Sequence, residues 1–360
     1  MSSTAIATVA AGLVTFATVP LAVRLARRIG AIDEPDARKV HTRPMPRLGG
    51  MSVYLGFLCG FFMAALLDGL PRGYLGLLAA GTFIFGLGML DDVLGLSPRV
   101  KLLGQVVAAL IVIPFGVNIS FITHPFKEGL LLHLGYWGIP VTVLWIVAVT
   151  NAVNLIDGLD GLAAGVSCIG AVTLGTVAVL AGDQLGVLPA LVLAATLFAF
   201  LPYNFHPARV FLGDCGAMFI GFILACGAVV GVAKTATAVT LVTPAIILGI
   251  PLFDTLFAIM RRYKNGRRIF RADREHLHHR LLAIGLSHRA AVLVVYGISA
   301  VLGVSAIVLT RLTTAQAVLL LFCMASCLLI LANKFGVIGF RWRNRFPRVE
   351  EKTKSQGVSF

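Results

Sequence analysis

"GMLDDVLGLSPRVKLLGQ" occupies residues 88–105, and its reading decides the fold. A hydrophobic run ends in two adjacent carboxylates, Asp91 and Asp92, and a second apolar run opens after Lys101. Each acid costs roughly 2.5–3.5 kcal/mol at the centre of a bilayer on insertion scales, and less near its surface. Two acids side by side at the end of a greasy helix therefore mark a membrane edge that carries chemistry.

The rest of the chain has the same character. Its 360 residues are 58% hydrophobic and 13% charged, with a mean hydropathy of +0.92. A soluble domain of this length is neither so apolar nor so poor in charge. Apolar stretches of about 17–25 residues, enough to cross a hydrocarbon core, recur along nearly all of it. The alternating segments of about ten residues that mark a membrane β-barrel do not occur. The sequence predicts an all-α polytopic integral membrane protein with about 11 transmembrane helices. They fall at roughly 4–23, 49–67, 73–90, 102–117, 138–156, 161–181, 185–202, 215–233, 236–260, 290–310 and 314–333. Residues 1–333 read as one transmembrane catalytic domain, and 334–360 as a basic cytoplasmic tail.

The first span is expected not to be a cleaved signal, because its leader "MSSTAIAT" has no positive residue. Arg24, Arg27 and Arg28 follow it, which predicts an N-terminus outside and a C-terminus in the cytoplasm. The inner segments are then 24–48, 91–101, 157–160, 203–214, 261–289 and the tail, and they hold 26 of the 30 Lys and Arg residues. The outer segments hold only Arg72, Lys127, Lys234 and Arg311. The formal net charge of +14 is thus mainly a topology signal, with a second use in holding anionic membrane lipid or substrate. Nucleic-acid binding is not expected, since no soluble domain exists to perform it. The six cysteines lie mostly inside spans without CxxC spacing, so neither a disulfide nor a zinc site is expected.

Five acids lie at or within apolar runs on the inner side: Asp91, Asp92, Asp157, Asp214 and Asp254. Acids at membrane depth point to function by default. "NAVNLIDGLDGLAAGV", 151–166, spaces Asn151, Asn154 and Asp157 at three, placing them on one helical face. Gly158 and Gly161 break that helix, with Asp160 in the turn. Such oxygens suit a hard cation or a hydrogen-bonded sugar or nucleotide, and an Asx-rich turn is the plainer alternative. "FLGDCGAMFIG", 211–221, sets Asp214 just before a span, where it reads equally as a helix cap or a metal ligand. No Lys or Arg stands beside Asp92 or Asp214 in the chain.

The loop 261–289 holds nine Lys and Arg and four His. His276 and His279 are three apart and are expected to share a helical face, with Arg280 following and His278 pointing elsewhere. "HLHH" reads as a metal site lacking its carboxylate, as a pyrophosphate clamp, or as part of a basic anchor. In "DEPDARKVHTRPMPRLGG", 33–50, Lys39, His41 and Arg47 are candidates for a lipid phosphate, with basic anchoring as the alternative.

Together these stretches resemble the polyprenyl-phosphate N-acetylhexosamine-1-phosphate transferases. "DD" after the third span, "NxxNxxDGxDGLA", "FLGDxG" and a histidine-rich last large loop match in order, over about residues 24–290. "HLHH" with Arg280, and "PRLGG" at 46–50, resemble the bacterial branch that uses undecaprenyl phosphate and UDP-GlcNAc. The phospho-MurNAc-pentapeptide transferases usually show three unbroken histidines before Phe-Glu, whereas Leu277 interrupts the run here. The resemblance implies transfer of GlcNAc-1-phosphate to undecaprenyl phosphate with release of UMP, as the first membrane step of a cell-envelope polysaccharide. Another UDP-N-acetylhexosamine, or the pentapeptide donor, is the alternative.

The implied cofactor is Mg2+, with Mn2+ as substitute, and the implied place is the inner face of a bacterial cytoplasmic membrane. On that resemblance Asp92 and Asp214, with Asn154, hold the metal, and Asp91 positions or deprotonates the lipid phosphate. Asp157 and Asp160 join the catalytic set with nucleotide or metal. Asp33, Lys39, His41, Arg47, Lys101, Asn151, Asp254, His276, His278, His279 and Arg280 bind substrate. A homodimer is left open. A transporter is disfavoured, because the acids gather at one face and no internal repeat occurs.

Overall fold

The computed structural model describes residues 3–35, 44–123, 131–232, 242–264, 266 and 276–334. Thirteen α-helices dominate them. They are α1 (Ser3–Ile29), α2 (Gly49–Asp68), α3 (Arg72–Leu94), α4 (Pro98–Val112), α5 (Gly138–Ile156), α6 (Leu162–Leu180) and α7 (Gln184–Asn204), then α8 (Gly213–Val232), α9 (Val242–Ile247), α10 (Gly249–Lys264), α11 (Leu277–Ala283), α12 (His288–Leu309) and α13 (Thr314–Lys334). Two short antiparallel ladders, β1 (Ile32–Asp33) with β2 (Met45–Pro46) and β3 (Phe121–Thr123) with β4 (Leu131–His133), and two 3-10 turns, Ile113–Phe115 and Gly135–Trp137, complete the described elements.

Nine helical stretches of the described residues are long and apolar enough to cross a membrane: α1 to α8, with α4 running on through a 3-10 turn to Phe115, and α12. The protein is a multi-pass helical membrane protein, as expected, and the described residues do not confirm the count of 11. The run expected as a span at 236–260 contains two shorter helices, α9 and α10. They meet at Leu248, where Pro251 lacks the N–H a continuous helix needs and its ring crowds the preceding turn. The last run, expected at 314–333, forms α13. By its contacts the chain separates into Met1–Arg311 and Leu312–Phe360.

In α1 the buried positions Ala7, Ala11, Thr15, Val19, Ala22 and Ala26 recur at three to four residues, so one narrow small-residue stripe faces α2 and α7. Lipid gives apolar side chains no reason to pair, so close backbone approach supplies the packing energy. α8 is the hub: 83% of its span is buried, and it packs on α3 and α5 as well as α2. Glycines set each approach. A Cβ on Gly88 of α3 would lie 2.5 Å from Cys215 Cα and 2.7 Å from the Asp214 carbonyl. One on Gly221 would lie 2.8 Å from Thr150 Cα of α5, and Gly50 of α2 presses on Gly216.

The helix ends are closed locally. Gly95 adopts φ +67° and its N–H donates to the Asp91 carbonyl at 2.8 Å, ending α3 just beyond the two acids. The β1–β2 ladder folds the following segment back on the bundle. There the Phe211 N–H donates to Pro46 O, while Gly49 and Gly50 N–H donate to Phe211 O and Leu212 O. That stitching lays Arg47 against the start of α8.

Candidate active site

Asp214 sits in the first turn of α8, where the left-handed Gly213 (φ +76°) turns the chain into the helix. Asp92 reaches across from α3. Its Oδ1 accepts the Asp214 N–H and its Oδ2 the Cys215 N–H, each at 2.9 Å. One carboxylate thus satisfies two of the free donors at a helix start and matches the positive end of its dipole. Asp214 then gathers side chains from three other elements. Arg47 Nη2 donates to Oδ2 at 3.1 Å, Asn154 Nδ2 donates to Oδ1 at 2.8 Å, and Lys101 Nζ lies 3.7 Å from Oδ1.

Arg47 also lies 3.5 Å from Asp92 and 3.6 Å from Asp33. Burial lowers its affinity for a proton, but Asp92, Asp214 and Asp33 more than offset this and hold the guanidinium above its ordinary value. Asp91 faces the other way. Lys101 Nζ is 2.7 Å from its Oδ2, and the Leu96 N–H donates to its Oδ1 at 2.7 Å.

Asp157, directly after α5, is the exception. Its side chain has no hydrogen-bond partner among the described residues, although the residue keeps a partly exposed edge. Withdrawal of its carboxyl from water, then the negative charges of Asp214 and Asp92, push it up to about 8. Five carboxylates, Asp33, Asp91, Asp92, Asp157 and Asp214, therefore face two cations, Arg47 and Lys101. That surplus of hard oxygen ligands suits a small divalent cation.

Several expected site residues sit elsewhere. Asn151 shares a reciprocal amide pair with Gln105 of α4, at 2.5 and 3.3 Å, and so braces α4 on α5. Asp160 turns to His206, whose Nδ1 is 2.8 Å from its Oδ2. Lys39 and His41 lie outside the described residues.

The expectation for the histidine loop is corrected. His276 precedes α11 in extended conformation, so it does not share a helical face with His279. Its Nδ1 lies 2.9 Å from Asp254 Oδ2, while Asp254 Oδ1 accepts the Leu277 N–H at 2.8 Å. His278, expected to point away, is 3% exposed and faces the acid turn. A Cβ on Gly158 would come within 2.5 Å of its Nε2. Burial, then the neighbouring His279, pulls the His278 imidazole down to about 3, so it stays neutral. His279 packs on His278 with ring centroids 4.3 Å apart, and Arg280 follows on α11. The carboxylate that "HLHH" lacks in sequence is supplied by Asp254.

The sequence reading missed Arg47 as a partner of Asp92 and Asp214, since adjacency in the chain showed no cation there. It also missed Gln105, His206, His288 and Tyr296, whose hydroxyl donates to the Gly161 carbonyl. Only the surplus of polar groups near inner helix ends hinted at them.

The profile of glycosyl transferase family 4 matches residues 74–232, which contain Asp91, Asp92, Asp157 and Asp214. A Bacillus subtilis (strain 168) protein named as a probable undecaprenyl-phosphate N-acetylglucosaminyl 1-phosphate transferase is 41% identical over 325 residues, 90% of each chain. A Mycobacterium leprae (strain TN) decaprenyl-phosphate N-acetylglucosaminephosphotransferase is 37% identical over 312 residues, 79% of this chain and 78% of its own. The Escherichia coli (strain K12) undecaprenyl-phosphate alpha-N-acetylglucosaminyl 1-phosphate transferase is 29% identical over 274 residues, 74% and 73% of the two chains. With a relative 41% identical over nine-tenths of its length, this chain belongs to glycosyl transferase family 4, the polyprenyl-phosphate N-acetylhexosamine-1-phosphate transferases.

Proposed function

We propose that this enzyme transfers GlcNAc-1-phosphate from UDP-GlcNAc to undecaprenyl phosphate, giving undecaprenyl-pyrophosphoryl-GlcNAc and UMP. The observation that carries the reading is the convergence of Asp92, Asp157 and Asp214 with Arg47 and Lys101 at one end of the helical bundle. The names of the relatives support the donor and the acceptor. The reaction would start a cell-envelope polysaccharide on the inner face of the cytoplasmic membrane, an orientation the charge asymmetry supports.

The acceptor phosphate is already an anion, so little proton abstraction is required. The difficulty is bringing it to a diphosphate of the same sign. Asp157, Asp214 and Asp92, with Asn154 beside them, are the residues that would hold Mg2+ or Mn2+. When bound, the cation supplies charge neutralisation and geometry at the diphosphate. Lys101 and Arg47 donate to phosphate oxygens, and Asp91 positions Lys101 at the membrane edge. Asp254 orients His276 through Nδ1, and with His279 and Arg280 this segment takes the diphosphate and sugar side.

The test is a radiolabelled-donor assay on purified protein with undecaprenyl phosphate, with UDP-GlcNAc and UDP-MurNAc-pentapeptide compared at equal concentration. Label from UDP-GlcNAc is expected in the lipid fraction, with loss of turnover in EDTA. Comparable transfer from the pentapeptide donor would overturn the assignment of the sugar.

A further inference from the structure

A second cluster of ligating groups lies beside the acid turn and outside the machinery described above. Asp160 belongs to the turn between α5 and α6, His206 to the segment after α7, and His288 begins α12. Each offers one ligand atom, and the three atoms lie within 4.8 Å of one another. Asp160 Oδ2 meets His206 Nδ1 at 2.8 Å and accepts the Ala208 N–H at 3.1 Å. The His206 and His288 rings stack with centroids 4.1 Å apart and planes 16° from parallel. Both ring nitrogens of His288 are withdrawn from solvent without a hydrogen-bond partner. An imidazole carries a donor and an acceptor, and leaving both unmade is costly unless something else takes them up.

The surroundings hold the three groups together. Arg289 Nε donates to the His206 carbonyl at 3.1 Å. The Tyr296 hydroxyl donates to Gly161 O, one residue beyond Asp160. Asn204 Oδ1 accepts the Gly161 N–H at 3.1 Å while its Nδ2 donates to Val210 O at 3.0 Å, tying the turn to the segment that carries His206.

We propose that Asp160, His206 and His288 form a binding site for a divalent transition metal of the zinc, cobalt or nickel class, separate from the carboxylate cluster around Asp214. Two imidazoles and one carboxylate favour these ions over Mg2+, which prefers oxygen ligands and keeps its waters. Three protein ligands leave a fourth position for water. Metal–ligand bonds of about 2.0–2.1 Å set tetrahedral ligands roughly 3.3 Å apart, so the wider separations must close and the 2.8 Å Asp160–His206 contact must open slightly, within the reach of side-chain rotation. The Ala208 N–H remains on Asp160 as an outer-shell anchor. A bound ion would fasten α12 to the turn that begins at Asp157.

The experiment uses the full-length protein in detergent, stripped with EDTA, re-purified and titrated with Co2+ alone while visible absorption is recorded. Wild type is expected to show cobalt–imidazole bands that saturate near one ion per chain and are displaced by Zn2+. His206→Ala and His288→Ala should each weaken that binding at least about a hundredfold, whereas Asp214→Asn and His276→Ala should leave it unchanged. Zn2+ should raise the unfolding midpoint of wild type but not of the milder His288→Gln, which keeps the assay informative if the alanine variants fold poorly. Equal Co2+ affinity in wild type and His288→Gln, or bands that vanish in His276→Ala or Asp214→Asn instead, would overturn the proposal.

Discussion

Asp214 accepts from Arg47 and Asn154 while its own backbone N–H is held by Asp92, so one residue links four segments of the chain. Asp214→Asn is expected to cut turnover at least about a hundredfold, several kcal/mol of transition-state stabilisation, with little loss of folded protein. Asp92→Asn should lose as much activity and also lower the unfolding midpoint, because it loosens the start of α8. Steady-state rates beside thermal unfolding in the same detergent separate the two effects. Asp157 gives a pH signature. Its carboxyl holds a proton up to about pH 8, and that proton competes with a cation. Apparent Mg2+ affinity for turnover should therefore rise with pH until about 8 and then level off. A flat profile from pH 6 to pH 9 would remove Asp157 from the ligand set.

At the scale of elements, the glycine seam decides how closely the acids approach. Gly88→Ala would push a methyl into the backbone at Cys215 and is expected to destabilise by about 1–3 kcal/mol while lowering activity. Gly86→Ala, two residues away with open space around it, should be close to neutral in a denaturation assay. α11 carries a second measurable effect. His278 is held near 3 when folded against an ordinary value of 6.5, so the unfolded chain takes up the proton first as pH falls. The stability it contributes is complete above about pH 6.5 and is lost on descent toward pH 3. His278→Gln should flatten the fall in unfolding midpoint over that range. Here the sequence was a partial guide. Long apolar runs spelled out α1 to α8 and α12, but hydropathy does not register a proline, so α9 and α10 read as one span. The spacing of His276 and His279 suggested a shared face because nothing local announced that α11 starts only after His276.

For the molecule as a whole, the charge asymmetry predicts orientation. Single-cysteine labelling should find 261–289 and the tail on the cytoplasmic side and 118–137 outside, and the reverse result for 261–289 would separate the site from a cytoplasmic nucleotide. Tyr136 and Trp137, 94% and 75% exposed just before α5, are residue types enriched at membrane–water interfaces, and the same labelling tests whether they lie on the outer side. Residues that announce themselves locally were legible: Asp91, Asp92, Asp157 and Asp214 stand where apolar runs stop. Residues that matter only through tertiary approach were not. Arg47 meets Asp214 across 167 positions and His206 meets Asp160 across 46, and no periodicity or motif encodes such meetings. Cysteine spacing was the ground for expecting no zinc site, and spacing is silent about ligands drawn from three separate segments, as in the site proposed at Asp160, His206 and His288.

Arg47 and Lys101 rest on Asp33, Asp91, Asp92 and Asp214, which makes them tethered counter-ions. For the proposed reaction, substrate entry is then an exchange of partners: the diphosphate would draw Arg47 and Lys101 off the carboxylates, which are the groups that would hold Mg2+ or Mn2+. The number of opposite-charge contacts is nearly conserved across that exchange. Donor affinity should consequently vary little with ionic strength, unlike binding to an open basic groove, where each phosphate contact displaces mobile salt.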